Sequence, residues 1–225
     1  EESESSHVID LCSGAGGPWL QLARDFEEEE RYKVSVLLTD LHPNAEGFKR
    51  ASSGFESVHF YEHSVSATRV PPHLRGFRTV FSSFHHFSPD EALGILCDAA
   101  KENQGIAIFE GANRDLRVVL AICFLPLVAL LIAPTIKPFR WSRIFWTYVV
   151  PMVPFMLWFD GVMSCLRAYS KEELLQMSQK VRVRGYQWQA GTRGDGFVPI
   201  LYLIGYPEKA CSRESVSLPD DGEDR

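Results

Sequence analysis

Paired cysteines and a surplus of basic residues are both missing from this chain of 225 residues. The five cysteines are an odd number and include no Cys-x-x-Cys pair, which argues against a disulfide framework or a zinc site and favours reduced, separate thiols in a cytosolic setting. The formal net charge is -6, whereas domains that bind nucleic acids usually present a basic face. No signal-peptide pattern precedes the first apolar run. We therefore expect one globular α/β domain with no nucleic-acid partner.

Short apolar runs alternate with helical patterns along most of the chain, which is typical of a parallel sheet with helices on both faces. Two late runs, Tyr186–Ala190 and Pro199–Tyr206, share only the Gly-rich loop Gly191–Gly196 and predict an antiparallel hairpin. The predicted fold class is α/β: a Rossmann-like doubly wound sheet with a C-terminal antiparallel hairpin and an apolar helical insert. The five earlier strands are predicted at His7–Cys12, Val34–Leu38, Val58–Tyr61, Phe77–Ser83 and Gly105–Glu110.

Helices are predicted between these strands. Two of them begin at capping boxes, in which a serine is followed three residues later by a glutamate: Ser88 with Glu91, and Ser170 with Glu173. The predicted helices are Pro18–Phe26, Pro43–Ala51, Ser88 to about Asn103, and Ser170 to about Lys180. The domain prediction is a cofactor-binding core at 7–116, an apolar insert at 117–168, a C-terminal helix and hairpin at 169–207, and disordered tails at 1–6 and 208–225.

A glycine-rich turn follows the first predicted strand and is the first candidate binding site. Ligands of open α/β sheets bind at the carboxyl ends of the strands, and this end reads Asp10-Leu-Cys-Ser-Gly-Ala-Gly-Gly. A carboxylate at Asp10 would repel a pyrophosphate, which disfavours a nicotinamide-dependent oxidoreductase, but it suits the ammonium group of an amino acid. Asp40, at the end of the second strand, can accept hydrogen bonds from ribose hydroxyls. Its alternative role is a helix cap before Pro43.

These segments resemble the motifs of the class I S-adenosylmethionine-dependent methyltransferases. VIDLCSGAGG resembles their motif I, LLTDLHPNA their second motif, VSATRVP their third, and FRTVFSSFHHF occupies the place of the fourth. The resemblance covers about His7 to Leu116 and resumes from Ser170 to Pro207. It implies S-adenosylmethionine as the cofactor. The cofactor-binding residues that it implies are Asp10, Cys12, Gly14, Gly16, Asp40, Leu41, Ser66, Ala67 and Ser82.

Two positions depart from the family pattern. Cys12 stands where the family usually has its first glycine, and Ser66 stands where an aspartate usually binds the adenine amino group. Cys12 would leave less room near the methionine moiety, and the shorter, uncharged Ser66 predicts weaker or water-mediated adenine recognition. These departures keep open a second function, that of a non-catalytic, methyltransferase-like binding protein at a membrane.

Two adjacent histidines, His85 and His86, follow the predicted fourth strand, where the loop should face the transferred methyl group. An oxygen nucleophile must lose its proton, and histidine suits that task near neutral pH, so both are candidate catalytic residues. The alternative for each is a place in the core. We expect the two side chains to diverge, so that only one reaches the pocket. Glu110 and Arg114 are expected to contact substrate or, more simply, each other. Four other histidines, without metal-ligand spacing, are expected on the surface or as caps: His42, His59, His63 and His73.

An apolar block interrupts the methyltransferase pattern. Val118–Ile136 is uncharged, Ile144–Phe159 is broken by prolines, and the basic, tryptophan-containing segment Lys137–Arg143 lies between them. We expect kinked helices that dip into one membrane leaflet or cover the active site as a lid. The alternatives are a soluble helical subdomain and a transmembrane hairpin, which would send the basic segment across the bilayer. Because the insert lies beside the expected pocket, we predict a lipophilic acceptor, such as a quinone, phenol, isoprenoid or fatty compound, methylated at oxygen.

Overall fold

Seven strands form one mixed sheet in the computed structural model, which describes residues 7–28, 34–52, 56–194 and 199–208. The order across the sheet is β3-β2-β1-β4-β5-β7-β6, and β7 runs antiparallel to both of its neighbours. The order reverses between β1 and β4, where open α/β sheets form their ligand crevice. The predicted fold class is confirmed. The strands are β1 (His7–Leu11), β2 (Ser35–Leu38), β3 (Val58–Phe60), β4 (Phe77–Phe81), β5 (Ile106–Glu110), β6 (Tyr186–Arg193) and β7 (Ile200–Pro207).

Helices cover the sheet on both faces because successive strand residues point in opposite directions. Val8 packs with the first two helices, whereas its neighbour Ile9 packs with the third and the last. Both predicted capping boxes are present at Ser88 and Ser170. The helices are α1 (Trp19–Glu28), α2 (Ala45–Ser52), α3 (Pro89–Lys101), α4 (Leu116–Ile132), α5 (Trp141–Ile144), α6 (Met152–Arg167) and α7 (Lys171–Gln179), with a 3-10 turn at Phe84–His86 and a π-helix at Phe145–Val149.

The predicted hairpin loop begins too early in the chain. Gly191 lies within β6, opposite Tyr202 of β7, rather than in a turn. A Cβ atom at Gly191 would approach the Tyr202 hydroxyl oxygen to 2.4 Å, so this glycine makes room for a cross-strand ring. Residues 195 and 196 of the predicted loop, and the predicted disordered tails apart from Glu208, lie outside the described residues.

The apolar insert folds as helices α4, α5 and α6 with the π-helix between the last two. Helix α4 packs along α6, where a Cβ on Gly161 would meet Ile122 at 2.6 Å, and the Tyr148 hydroxyl donates a hydrogen bond to the Leu130 carbonyl. Within the described ranges, no single helix has the length and apolarity to cross a membrane. One pair of helical segments is long and apolar enough only when the two are taken together, and a 70° bend separates them: Trp141–Val149 and Met152–Arg167.

Candidate functional site

The turn after β1 combines a left-handed backbone with open space. Gly14 and Gly17 have φ of 56° and 51°, and a Cβ atom on either would meet nothing within 4 Å. Cys12 adopts φ of 58° without being a glycine, which costs about 1–2 kcal/mol. This conformation explains why glycine is expected at the position. Ser82, directly after β4, is also left-handed, with φ of 46°. Strained residues at two neighbouring strand tips mark this edge as the candidate site.

Asp40 joins the tips of β1 and β2. Its Oδ2 accepts a hydrogen bond from the Gly14 N–H at 2.9 Å, and its Oδ1 accepts one from the His42 N–H at 2.8 Å. Each oxygen keeps a lone pair for a ligand hydroxyl. The alternative role of Asp40 as the cap of α2 is wrong, because Asn44 accepts the hydrogen bond of the Gly47 N–H in the first turn of that helix.

Asp10 lies one strand over, buried beneath the same turn. Its carboxylate accepts a hydrogen bond from Thr79 Oγ1 at 2.6 Å, and Thr79 is its register partner on β4. Burial raises the pKa of Asp10 to about 6, against the opposing effect of the hydrogen bond from Thr79. A cationic ligand beside this carboxyl would favour its ionised form.

Cys12 directly follows β1, and both carboxylates are close enough to act on its thiol. Burial raises the pKa of its thiol to about 12, and the charges of Asp40 and Asp10 raise it further in the same direction. Both carboxylates therefore act on one side chain at the strand tips. A ligand with two polar ends requires two such carboxylates close together. The sequence alone does not give the distance between them.

The third motif lies against the end of β2. The Val65 N–H donates to the Asp40 carbonyl at 2.9 Å, and Ser64 Oγ donates to the Leu41 carbonyl at 2.7 Å. These hydrogen bonds bring Leu41 into the same corner as Ser66, and the apolar side chain of Leu41 is exposed there. The Ser66 hydroxyl shares a hydrogen bond of 2.9 Å with Thr68 Oγ1. Ala67 is buried there.

A cavity of about 1110 Å³ opens at the glycine turn and continues between α1 and the face of β4, β5 and β7. Its walls there are apolar and include Phe81, Phe109 and Ile204. The predicted site residues thus divide into two groups. Asp10, Cys12, Gly14 and Ser82 line the cavity, whereas Gly16, Asp40, Leu41, Ser66, Ala67, His85 and His86 are not part of its lining as far as the structure describes the chain.

His85 occupies the core rather than the cavity. It is 5% exposed, and its Nδ1 lies 2.7 Å from Glu110 Oε2, while Glu110 Oε1 accepts a hydrogen bond from the Phe84 N–H. His85 Nε2 has no hydrogen-bond partner among the residues that the structure describes. The expected pairing of Glu110 with Arg114 is wrong. Glu110 points inward to the 3-10 turn, and Arg114 lies on the surface with Glu173 at 3.0 Å.

His86 is exposed at the same turn. The expectation that the two histidines diverge is wrong, because their ring centroids lie 4.2 Å apart. Three residues per turn set successive side chains of a 3-10 turn about 120° apart, whereas an extended strand would have pointed the two rings to opposite faces. Partial desolvation and then the charge of His85 lower the pKa of His86, against the opposing charges of Asp160 and Glu110. Such a group stays neutral, and able to take a proton, to a lower pH than an ordinary histidine.

Three further residues near the site were not among the residues predicted from the sequence: Thr79, Ser13 and Asp160. Thr79 is recognisable only from the register of β4 against β1, and Ser13 only from its hydrogen bond to the Asp10 carbonyl at 2.9 Å. Asp160 stands alone as an acid within the apolar insert, and that isolation is the one signal that the sequence carries. The histidines expected on the surface or as caps, His42, His59, His63 and His73, are all exposed, as predicted.

Comparison with known proteins supports the fold. No protein-family model and no curated protein sequence matches the chain. Among solved structures, the S-adenosylmethionine-dependent methyltransferase SibL is similar with a TM-score of 0.56 and 13% identity, over 92% of this chain and 51% of that one. Mitomycin 7-O-methyltransferase MmcR is similar with a TM-score of 0.55 and 13% identity, over 92% and 50%.

A third similar structure is the O-methyltransferase NcsB1 of neocarzinostatin biosynthesis, solved with S-adenosylmethionine and 2-hydroxy-5-methyl naphthoic acid. Its TM-score is 0.51 at 16% identity, over 90% of this chain and 50% of that one. The chain spans about half the length of these three proteins. At such low identities the likeness concerns the fold, and the chain has the fold of the class I S-adenosylmethionine-dependent methyltransferases.

Proposed function

We propose that this chain binds S-adenosylmethionine and transfers its methyl group to an oxygen atom of a lipophilic small molecule. The observation that carries the proposal is the open, left-handed glycine turn after β1, where Asp10 lines the cavity and Asp40 accepts the hydrogen bond of the Gly14 N–H at 2.9 Å. The methyltransferases of the same fold, one of them solved with this cofactor, support it. The fold alone would also suit a binding protein that has lost catalysis, so the cofactor site is tested first.

The residues at the turn fit the parts of the cofactor. Asp10 offers a carboxylate to the ammonium group, and Asp40 offers its remaining lone pairs to the ribose hydroxyls. Gly14 and Gly16 let the backbone approach closely, and the exposed Leu41 offers an apolar contact to a base. Ser66 and Ala67 complete that corner, and Cys12 and Ser82 border the methionine side. When bound, S-adenosylmethionine supplies a methyl group on a positively charged sulfur.

His86 is our candidate for the base. It is exposed where its neighbour is buried, and its lowered pKa keeps the imidazole neutral. A neutral imidazole can take the proton of an acceptor hydroxyl as the oxygen becomes a nucleophile. His85 and Glu110 hold the turn beneath it, since Glu110 joins His85 Nδ1 and the Phe84 N–H. In this arrangement His85 supports the site and His86 contacts the acceptor.

The surface of the insert favours a lipid environment and a lipophilic acceptor. Of the large apolar side chains that are exposed on the described residues, all but Leu41, Leu116 and Ile200 lie in the insert. Leu131 is 77% exposed and Trp141 is 78% exposed, which argues against a helical subdomain that only packs on itself. The exposed Lys137 beside Trp141 adds the combination of charge and aromatic ring typical of a membrane interface. We propose that the insert dips into one leaflet and receives the acceptor there.

Calorimetric titration with S-adenosylmethionine tests the cofactor site. The wild-type protein should release or absorb heat on binding, and Asp40→Asn should bind roughly 10- to 100-fold more weakly, because an amide replaces a charged acceptor and directs an NH₂ group toward the Gly14 N–H or the His42 N–H. Asp25→Asn, an exposed aspartate of α1 that accepts a hydrogen bond from Gln21, is the matched control. Absence of heat and of a thermal shift with the wild-type protein would overturn the enzyme assignment and leave the binding-protein alternative.

Cofactor affinity should also depend on pH through Asp10. Its pKa is raised to about 6, so its carboxyl becomes protonated below that pH and no longer attracts an ammonium group. Affinity should therefore fall about tenfold between pH 7.5 and pH 5. Equilibrium dialysis with labelled cofactor measures it. Asp10→Asn should bind weakly with no such pH dependence, and an unchanged dependence in that variant would assign the titration to another group.

A further inference from the structure

Helix α6 carries a polar stripe on an otherwise apolar cylinder. Asp160, Ser164 and Arg167 are the only polar side chains between Met152 and Arg167. They are spaced i, i+4 and i+7, so they share one face of the helix. Asp160 makes no hydrogen bond or salt bridge with any residue in the described ranges. A lone carboxylate in an apolar helix is expensive beside lipid, and such residues face protein or a water-filled site.

The stripe lies on the helix that packs against the 3-10 turn carrying His86. The charges of Asp160 and Arg167 both reach the His86 imidazole. The two charges act in opposite directions, since Asp160 raises the pKa of His86 and Arg167 lowers it. From the other side, the charged groups that act on His86 are His85 of the same turn and Glu110 of β5.

We propose that the stripe is the wall that the insert contributes to the acceptor site, with Asp160 as a positioning residue whose carboxylate charge stabilises the protonated form of His86. The inference rests on the proposed methyl transfer at oxygen. When the acceptor hydroxyl gives up its proton, the O–H electron pair stays on oxygen and the proton goes to His86. The imidazolium that forms then faces the Asp160 carboxylate. The insert thus supplies two things at once: an apolar surface toward lipid and a polar wall toward the reacting hydroxyl.

The test measures the pKa of His86 directly, without requiring turnover. The full chain, labelled at histidine with ¹³C and ¹⁵N, is titrated by NMR, and the His86 signal is assigned from its loss in His86→Gln. Asp160→Asn should lower the pKa of His86, and Arg167→Gln should raise it, each by roughly 0.4 unit. The double variant should return close to the wild-type value. Asp25→Asn, which removes an acid of α1, should leave it unchanged.

Turnover supplies a second readout. With 4-nonylphenol in phosphatidylcholine vesicles as the probe acceptor, the acidic limb of the rate profile should move to lower pH in Asp160→Asn and to higher pH in Arg167→Gln. Shifts of His86 in one common direction, or none in either variant, would overturn the proposal, because loosened structure does not produce opposite signs. The His86 pKa could shift in opposite directions in the two variants while the wild-type protein gives no heat of binding with S-adenosylmethionine. That result would support the contact between the stripe and His86 and overturn the proposed function instead.

Discussion

His86→Ala should lower kcat by about 10²- to 10⁴-fold with cofactor affinity unchanged. The physical reason is that a phenolic hydroxyl, with a pKa near 10, is almost fully protonated at neutral pH and must lose its proton as the oxygen attacks. His86 is the exposed imidazole of the turn, and Asp10 and Asp40 belong to other strands, so its removal leaves the cofactor contacts in place. Transfer of a labelled methyl group to 4-nonylphenol measures turnover, and calorimetry measures the affinity.

The control for this experiment is another exposed histidine. His59 on β3 lies outside the 3-10 turn, and His59→Ala should keep full turnover. His85→Ala is a poorer test of catalysis, because it would leave the buried Glu110 carboxylate without its partner and cost about 3–5 kcal/mol of stability. Full activity in His86→Ala would remove this histidine from the chemistry and direct the search to the cavity beside Ser82.

The second large effect is expected at the membrane surface. The wild-type protein should float with vesicles of phosphatidylcholine and phosphatidylserine, and the double variant Leu131→Glu/Trp141→Glu should remain at the bottom of the gradient. Both positions are more than three-quarters exposed, at 77% and 78%, so the substitutions remove no core packing. A charge forced into apolar lipid costs about 2 kcal/mol or more, and two such charges should weaken binding at least about 100-fold.

A matched substitution outside the insert separates lipid contact from general surface change. Leu41 is 51% exposed and follows β2, outside the insert. Leu41→Glu should therefore float like the wild-type protein. Vesicles of phosphatidylcholine alone should bind more weakly than those with the anionic lipid, because exposed Lys137 and Arg140 lose their electrostatic attraction. A wild-type protein that stays wholly in the soluble fraction would refute membrane attachment. The apolar surface would then require a protein partner.

Local patterns predicted a large part of this architecture. The strand runs lie where apolar residues are nearly continuous, because a parallel strand buried on both faces needs apolar side chains at most positions. Ser88 and Ser170 begin their helices as predicted, since a capping box satisfies backbone donors within four residues and needs no distant partner. Gly191 misled the prediction for the opposite reason: the ring that requires a glycine there, Tyr202, belongs to another strand.

The amino-acid sequence by itself determined the α/β class, the order of the motifs, and the carboxylates Asp10 and Asp40 at two strand ends. These features depend on residues close together along the chain. Only the tertiary structure decided that Asp40 reaches the Gly14 N–H of the first turn, that His85 is buried against Glu110 while His86 is exposed, and that α6 packs against that turn. Such contacts join residues 25 or more positions apart. Their geometry is set by strand register and helix packing, which no local pattern encodes.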